Sequence, residues 1–292
     1  SLQLGLIYGV MVLGIYISFR ILNIPDLTAE GSFTFGLATA AIFTTAGHPF
    51  LGILASLVAG ALAGCVTGLL QTKLNIHPVL TGILTMSGLY SINTVVLGGT
   101  PNLTLIGKET IFTLAQSAFP MLEREAVKLL MAVLVSVVCT VALVAFFRTR
   151  LGLCIRATGD NTDMVKASSI NVDRMKCIAL ALSNGLIALC GGLIAQYQSF
   201  ADINSGVGIL VVGLASVIIG EAFFGKRSVT IGFISAIFGS VVYRYIIAMA
   251  TKADWFPAYM LKLVSAVIVT LALAIPAIKS MMEVQKIRRG GK

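Results

Sequence analysis

The stretch Gly220–Ser228, GEAFFGKRS, comes within one residue of a nucleotide-binding loop. Gly220, Gly225 and Lys226 occupy P-loop positions, but Arg227 stands where a Ser or Thr hydroxyl would bind magnesium. A P-loop works between a buried strand and a helix of an α/β domain, with its backbone N–H groups around the phosphates. Here apolar runs lie on both sides, with no soluble α/β domain around them. We therefore expect this chain to bind no ATP, magnesium or other cofactor of its own.

The composition explains why such a loop has no place here. Of 292 residues, 57% are hydrophobic and 11% are charged, whereas an ordinary soluble domain has roughly 25% charged residues. Apolar runs recur from end to end, most of them near the ~20 residues that a helix needs to cross a bilayer. They are unbroken and do not alternate as barrel strands do. We expect an all-α, polytopic transmembrane helix bundle of about 8 to 10 spans.

Hydropathy divides the chain into nine expected spans. Two of them are unusually short, Phe33–Ala46 and Val207–Ile219. The others are Leu4–Ile21, Phe50–Leu70, Val79–Leu97, Ala126–Phe147, Cys177–Tyr197, Val229–Met249 and Tyr259–Ile278. The first span lacks a small-residue cleavage site, so we do not expect it to be a secretory signal.

Positive charge indicates which side faces the cytoplasm. If the polar stretch 148–175 is cytoplasmic, most Lys and Arg residues gather on that side, as the positive-inside rule predicts. They are Arg20, Lys73, Arg148, Arg150, Arg156, Lys166, Arg174, Lys176, Lys226, Arg227, Lys279, Lys286, Arg288, Arg289 and Lys292. The C-terminus is then expected to be cytoplasmic. The net charge of +9 needs no nucleic-acid partner to explain it.

Two stretches of the sequence run parallel to each other. GLATAAIFTTAGHPFLGILASLVAG, from Gly36, and GLASVIIGEAFFGKRSVTIGFISAIFG, from Gly213, each begin with Gly-Leu-Ala, pass through a short span and turn at a glycine. The offset of about 180 residues continues into the next span. Because five spans separate the copies, they have opposite orientations in the membrane. We expect an inverted-topology repeat with halves of about 1–125 and 126–292, a construction typical of transporters.

Short segments in corresponding positions of two halves indicate where a solute crosses the membrane. Polar side chains accompany both segments: Glu30, Ser32 and Thr34 the first, and Asn204 the second. We expect these four residues to line the translocation pathway. A charge at membrane depth costs on the order of 3 kcal/mol unless it is paired or hydrated, and Arg20, about ten residues earlier, is the expected partner of Glu30. Two roles for Glu30 stay open, a structural ion pair and a part of the pathway.

Other polar residues suggest structural roles. Asn184, in a glycine-rich span, is expected to hydrogen-bond between helices rather than to contact a solute. The five cysteines indicate neither a disulfide framework nor a metal site by their number and spacing. No Ser/His/Asp set or pair of acid–base carboxylates indicates an enzyme active in its own right.

The stretch 148–176, RTRLGLCIRATGDNTDMVKASSINVDRMK, resembles a motif of the permease subunits of ABC importers of the branched-chain amino acid and ribose type. The residues that fit are Thr149, Gly152, Arg156, Ala157, Gly159, Asn161, Ile170, Val172 and Lys176. Ser169 replaces the family's usual glycine, and Glu221 departs from a later glycine-rich stretch. RILNIPDLTAEGSF is similar to a subgroup of uncharacterised or aromatic-amino-acid permeases. The resemblance covers nearly the whole chain, which we expect to be a single transmembrane permease domain, residues 1–292.

The resemblance implies a subunit of a larger importer in the bacterial cytoplasmic membrane. Such permeases are dimers, here expected to be a homodimer. An extracytoplasmic substrate-binding protein or lipoprotein lies on one face and two cytoplasmic ATPase subunits, which hold ATP and magnesium, on the other. Two elements are expected to dock the ATPases. The first comprises Gly220, Glu221, Ala222, Phe223, Phe224, Gly225, Lys226 and Arg227, and the second, a loop, contains Arg156, Asp160 and Asn161.

Together these features predict import of a small solute by alternating access, driven by separate ATPase subunits. The expected solute is an amino acid, in particular an aromatic one, and a sugar or nucleoside stays open. An ion-coupled secondary transporter is the alternative, because inverted repeats and a pathway carboxylate such as Glu30 also occur in that class. A channel or a membrane scaffold is a third class.

Overall fold

The computed structural model describes residues 1–121, 123–225 and 228–252, together with Leu263, Ala266, Val267, Thr270 and Ala274. This part contains eleven α-helices and two short strands. In chain order they are α1 (Leu2–Tyr16), α2 (Thr28–Thr45), α3 (Pro49–Lys73), α4 (Pro78–Val96), β1 (Asn102–Thr104), α5 (Ile111–Ala118), α6 (Arg124–Arg148), α7 (Arg150–Asp160), α8 (Thr162–Ala167), α9 (Val172–Gln198), β2 (Phe200–Asp202), α10 (Ile209–Phe224) and α11 (Val229–Lys252). A π-helical turn, Ile17–Ile21, follows α1, and a 3-10 turn, Ile203–Gly206, precedes α10.

Seven of the described helices are long and apolar enough to cross a membrane. They are α1 with its π turn, α3, α4, α6, α9, α10 with its 3-10 turn, and α11. α2 is not one of them: its 18 residues include Glu30 and many hydroxyl side chains, and most of the helix is buried. Most of the ninth expected span, Tyr259–Ile278, lies outside the described residues. The helical bundle is confirmed, whereas the described part does not reach the expected count of about 8 to 10 spans.

α9 forms the centre of the bundle, packed against α3, α2 and α1. Its contact with α3 is backbone to backbone. A Cβ atom at Gly60 would lie 2.3 Å from the carbonyl oxygen of Asn184, and one at Gly64 would lie 2.2 Å from that of Leu180. Only glycine allows this approach, because any side chain would overlap the facing backbone. We call this contact the α3–α9 seam.

α1, α10 and α11 form a second group, in which α11 packs against both α1 and α10. α1 runs antiparallel to α9, and two hydrogen bonds fix their register. Ser183 Oγ donates to the carbonyl oxygen of Gly14 at 2.7 Å, and Cys190 Sγ donates to that of Ile7 at 3.2 Å. α1 therefore joins the second group to the centre of the bundle.

The strands mark one face of the protein, which we call the β face. β1 and β2 pair antiparallel there, with Leu103 opposite Ala201. The Gln196 side chain, at the end of α9, accepts a hydrogen bond from the Ile111 N–H and donates one to the Pro49 carbonyl oxygen, each at 2.9 Å. A single amide thus connects the ends of α9, α5 and α3.

The opposite face carries α7 and α8, and we call it the α7 face. The Thr149 side chain accepts from the Gly152 N–H and caps α7, and the Asn161 side chain caps α8. The stretch 148–175, expected to be a polar loop, is therefore largely helical. A Cβ atom at Gly159 would lie 1.8 Å from the Ile21 carbonyl oxygen, so α7 packs directly on the π turn.

Candidate functional site

α2 begins deep inside the bundle. Asn184, near the middle of α9, donates from Nδ2 to Asp26 Oδ2 at 2.6 Å and accepts from Ser32 Oγ at 2.7 Å. The start of α2 is therefore level with the middle of α9 and not with either face. The expected role of Asn184 as a hydrogen bond between helices is confirmed. Ser32 is fully buried in this contact and is not among the residues that line the cavity described below.

The first short segment starts earlier than expected. It is Thr28–Thr45 and not Phe33–Ala46, so Glu30 lies in its first turn. A carboxylate is favourable there because the unpaired N–H groups of a helix N-terminus carry partial positive charge. The second segment, expected as Val207–Ile219, is also longer, and its helix continues to Phe224.

Glu30 connects α2 to α10. Its Oε1 accepts a hydrogen bond from the Gly208 N–H at 3.0 Å, and Gly208, with φ of +83°, is the residue immediately before α10. The N-terminal ends of two helices therefore meet at one carboxylate. Both helix dipoles stabilise its charge.

A cavity of about 410 Å³ lies beside this carboxylate, and we call it the Glu30 cavity. It is lined by Glu30, Gly31 and Thr34 of α2, by Met86, Ser87, Tyr90 and Asn93 of α4, and by Ile203, Gly206 and Val207 before α10. Of the residues expected in the pathway, Glu30 and Thr34 line the cavity. Asn204 is exposed and follows the lining residue Ile203 without lining the cavity itself.

Asn93 is a lining residue that the sequence reasoning missed. Its side chain is 1% exposed, and its Nδ2 donates to the carbonyl oxygen of Gly31 at 3.3 Å. Its Oδ1 has no hydrogen-bond partner among the described residues. A buried polar atom left in that state costs about 1–3 kcal/mol. The signal in the sequence was an amide within an apolar span, one helical turn after Tyr90.

Arg20 lies toward the α7 face, where it binds Glu221. Its Nε and Nη2 donate to the two carboxylate oxygens of Glu221, and the side chains are 28% and 9% exposed. The expected pairing of Arg20 with Glu30 is therefore wrong. Glu221, expected to make polar contacts with an ATPase, is turned inward and connects the end of α10 to the π turn.

The first expected docking element is mostly the end of a helix rather than a connecting loop. Gly220–Phe224 belong to α10. Gly220 is buried against α11, since a Cβ atom there would lie 2.0 Å from the Ser235 carbonyl oxygen. Lys226 and Arg227, also assigned to this element, lie outside the described residues.

Three residues of this element form an exposed apolar patch on the α7 face. Ala222 is exposed, and Phe223 and Phe224 are 69% and 40% exposed. Both phenyl rings contact Phe238 edge to face. The helix ends at Gly225, which has φ of +69°. We call Ala222, Phe223 and Phe224 the α10 patch.

The second expected element lies on the same face. Arg156 and Asp160 are exposed on α7, and Asn161 follows them. Asn161 Oδ1 accepts from the backbone N–H groups of Asp163 and Met164, each at 3.0 Å, so its side chain is occupied in capping α8. α7 packs on the π turn, and Arg20 of that turn binds Glu221 of α10. The two expected docking elements are therefore connected through the π turn.

Known proteins resemble this chain over most of its length. The family model described as "Branched-chain amino acid transport system / permease component" matches residues 1–273. A tyrosine transport system permease protein of Clostridioides difficile is 37% identical, over 92% of this chain and 88% of the relative. An uncharacterized protein of Rickettsia prowazekii is 33% identical, over 77% and 76%. A fructose import permease protein of Bifidobacterium longum is 22% identical, over 88% and 71%. No solved structure gives a significant match.

Proposed function

We propose a function from the premise that this chain belongs to the branched-chain amino acid transport system permease family. It is an integral membrane protein and a permease subunit of an ABC importer. We infer further that its solute is an amino acid, for which the 37% identity to a tyrosine transport permease is the support. Two copies form a homodimer in the bacterial cytoplasmic membrane. Separate ATPase chains bind and hydrolyse ATP with magnesium, and this chain holds no cofactor.

The observation that carries the proposal is the meeting of two helix N-termini at Glu30 in the depth of the bundle. Transporters place such helix ends near the midplane of the membrane, where they surround the solute. The cavity beside Glu30 also carries the polar side chains of Thr34, Ser87 and Asn93, and such groups favour contact with water or a polar solute over contact with lipid. Glu30 and Thr34 line the pathway, and Asn204 lies at its entrance from the β face.

The packing of the helices supports an inverted-topology repeat of α1–α3 and α9–α11. α2 packs against α3 and against α9, the first helix of the other repeat. α10 packs in the same way against α11 and against α1. α3 also contacts α9, as α11 contacts α1, and α1 and α9 run antiparallel. Exchange of the two halves thus preserves these contacts, as a two-fold axis within the membrane plane requires.

The positive-inside rule supports placing the α7 face and the C-terminus in the cytoplasm. The ATPases then dock against the α10 patch, against Arg156 and Asp160 of α7, and against Asn161 between α7 and α8. Exposed apolar side chains in one place are typical of a protein interface. Gly220 and Glu221 lie beneath this surface, Gly225 ends its helix, and Lys226 and Arg227 belong to it on sequence alone. The substrate-binding protein docks on the β face.

α10 provides the connection between ATP hydrolysis and the solute. Its C-terminal end carries the α10 patch, and its N-terminal end meets Glu30 through Gly208. Displacement of the patch by closing ATPases moves the other end of the same helix. The pathway then opens alternately to the two sides, which is import by alternating access.

The test uses the permease in liposomes with its ATPase and binding protein. Phe223→Ala removes the most exposed ring of the α10 patch, and Phe50→Ala, at a ring 66% exposed near the β face, is the matched control. We expect Phe223→Ala to reduce ATPase co-purification and ATP-driven amino acid uptake at least about tenfold, a loss typical of a central interface aromatic. Phe50→Ala should change neither.

Two results contradict the proposal. One is a Phe223→Ala permease that assembles and transports like the wild type, which would refute ATPase docking at the α10 patch. The other is uptake that needs no ATPase and follows an ion gradient, which is the behaviour of a secondary transporter. Uptake of a sugar instead of an amino acid would refute the proposed solute and favour the class of solute named for the fructose import relative.

A further inference from the structure

We propose that α4 parts from α2 and α3 during transport and that the solute then passes along a line of buried polar side chains between these helices. These side chains are Thr28 of α2, Thr67 and Gln71 of α3, and Thr81 and Thr85 of α4, and we call them the polar track. The inference rests on the proposed function, since it describes how a solute continues from the Glu30 cavity to the α7 face. It assigns Gln71 as a residue that contacts the solute.

The polar track begins where the Glu30 cavity ends. The residues of α4 that line the cavity run from Met86 to Asn93, and Thr85 precedes them in the direction of the α7 face. Gln71 lies in the last turn of α3 and Thr81 in the first turn of α4, which are the ends of these helices nearest the α7 face. The track therefore extends from the cavity toward the side on which the ATPases dock.

Hydroxyl groups connect the three helices in the middle of the track. The Oγ1 atoms of Thr28 and Thr67 are 2.9 Å apart, and Thr67 Oγ1 donates to Thr85 Oγ1 at 3.1 Å. Such pairs are typical of contacts between membrane helices. On their own they indicate a structural role and no pathway.

Gln71 distinguishes the track from a purely structural contact. It follows Thr67 by one helical turn, so the two side chains share a face of α3. The Gln71 side chain is buried, and neither Nε2 nor Oε1 has a hydrogen-bond partner among the described residues. A buried polar group in that state is costly, and polar residues at membrane depth are typical of transport pathways. The amide offers donors and an acceptor, which polar groups of a solute satisfy once the helices part.

α2 and α3 are fixed to α9 by backbone contact. A Cβ atom at Gly191 of α9 would overlap the Phe33 carbonyl oxygen of α2. The α3–α9 seam holds α3 in the same way, through Gly60 and Gly64. Because these two helices cannot leave α9 without breaking close contacts, the track opens by movement of α4.

α4 is held less tightly than its neighbours. Its closest glycine contact with α2 is at Gly82, where a Cβ atom would lie 2.8 Å from the Leu27 backbone nitrogen. A cavity of about 390 Å³ lies between α3 and α4, and a Cβ atom at Gly88 would meet no atom within 4 Å. α4 also packs against the 3-10 turn that leads into α10. Displacement of α10 therefore reaches α4 through this turn.

The test measures whether the track becomes accessible to water during transport. Thr85→Cys and Gln71→Cys are introduced into a permease whose five native cysteines are replaced by alanine, reconstituted in liposomes with its ATPase and binding protein. A membrane-impermeant methanethiosulfonate is added on the side that carries the ATPases. We expect both cysteines to be labelled during ATP-driven uptake and not in the absence of ATP.

The matched control is Ser183→Cys. Ser183 is also fully buried, and its hydroxyl donates to the Gly14 carbonyl oxygen in the contact between α1 and α9. This cysteine should stay unlabelled in both conditions, since α1 and α9 do not separate in the proposed movement. Thr81→Cys gives a second measurement on α4 if Thr85→Cys does not assemble.

A second measurement separates contact with the solute from a structural role. Gln71→Met keeps the length of the side chain and removes the amide, so the SDS concentration at which half the protein unfolds should be unchanged or higher. Uptake should nevertheless fall at least about tenfold, the loss expected for one buried hydrogen bond to the solute. Gln71→Asn retains an amide and should transport faster than Gln71→Met.

Three results would overturn the inference. They are unlabelled Thr85→Cys and Gln71→Cys during active uptake, labelling of Ser183→Cys to the same extent, and wild-type uptake by Gln71→Met. The proposed function is judged separately, by the ATP dependence of wild-type uptake. Uptake that follows an ion gradient would refute the role of the ATPases, and labelling of the track during that uptake would still decide the route.

Discussion

Replacing Glu221 with Gln leaves the Arg20 guanidinium without a charged partner at the end of α10. Loss of one partner from a buried ion pair costs about 3–5 kcal/mol, whereas an exposed pair contributes about 0–1 kcal/mol. The two side chains are 9% and 28% exposed, which places this pair between the two cases. We therefore expect Glu221→Gln to lower the free energy of unfolding by about 2 kcal/mol.

The measurement is a double-mutant cycle with Glu221→Gln, Arg20→Gln and both together. The free energy of unfolding is obtained by SDS titration in mixed micelles, followed by far-UV circular dichroism. Asp163→Asn is the control, because the Lys166–Asp163 pair spans 3.9 Å with side chains 65% and 92% exposed. That control should change stability by less than about 0.5 kcal/mol.

The ion pair predicts that the two single changes are not additive. The double variant should be less destabilised than the sum by about 1–2 kcal/mol, since neither change leaves a charge unpaired once both are made. Additive effects, or a Glu221→Gln change no larger than that of Asp163→Asn, would refute the reasoning. Glu221 would then be available for contact with an ATPase, as the sequence suggested.

The same titration checks two more expectations. Gly64→Ala should lower the free energy of unfolding by about 1–3 kcal/mol, because the new Cβ atom would lie 2.2 Å from the Leu180 carbonyl oxygen. Gly88→Ala, where a Cβ atom meets no atom within 4 Å, should be neutral or slightly stabilising. Equal losses of stability at both positions would contradict the backbone contact of the α3–α9 seam. Asn184→Leu removes hydrogen bonds to a buried carboxylate and a buried hydroxyl and should cost about 2–4 kcal/mol, against about 1 kcal/mol for Ser183→Ala. A smaller loss at Asn184 than at Ser183 would show that the start of α2 is held by something else.

The sequence predicted the helical bundle because the bilayer allows few alternatives for a chain this apolar. Both expected short segments were located but their ends were wrong, and the second, α10 with its 3-10 turn, is long enough to cross a membrane. Hydropathy excludes polar turns, and Thr28, Glu30 and Ser32 are such a turn. They form helix nevertheless, and their side chains find hydrogen-bond partners in Thr67, Gly208 and Asn184. The partners lie far along the chain, so no local pattern reveals them.

The ion pair shows a second limit. Arg20 was assigned to Glu30 because the two are close in sequence, but its partner is Glu221, 201 residues later. The choice depends on the π turn and on the packing of α10 against α1, neither of which a hydropathy pattern encodes. Asn93 was missed for a related reason: an amide in an apolar helix gains meaning only when a cavity is known to lie beside it.

The α3–α9 seam determines where this protein is able to bend. Helices that meet through side chains can slide by changing rotamers, but helices in backbone contact have no such freedom. α3 and α9 must therefore travel as one rigid body during each transport cycle. The same restriction extends to α1, because a Cβ atom at Gly14 would lie 2.6 Å from the Ser183 carbonyl oxygen of α9.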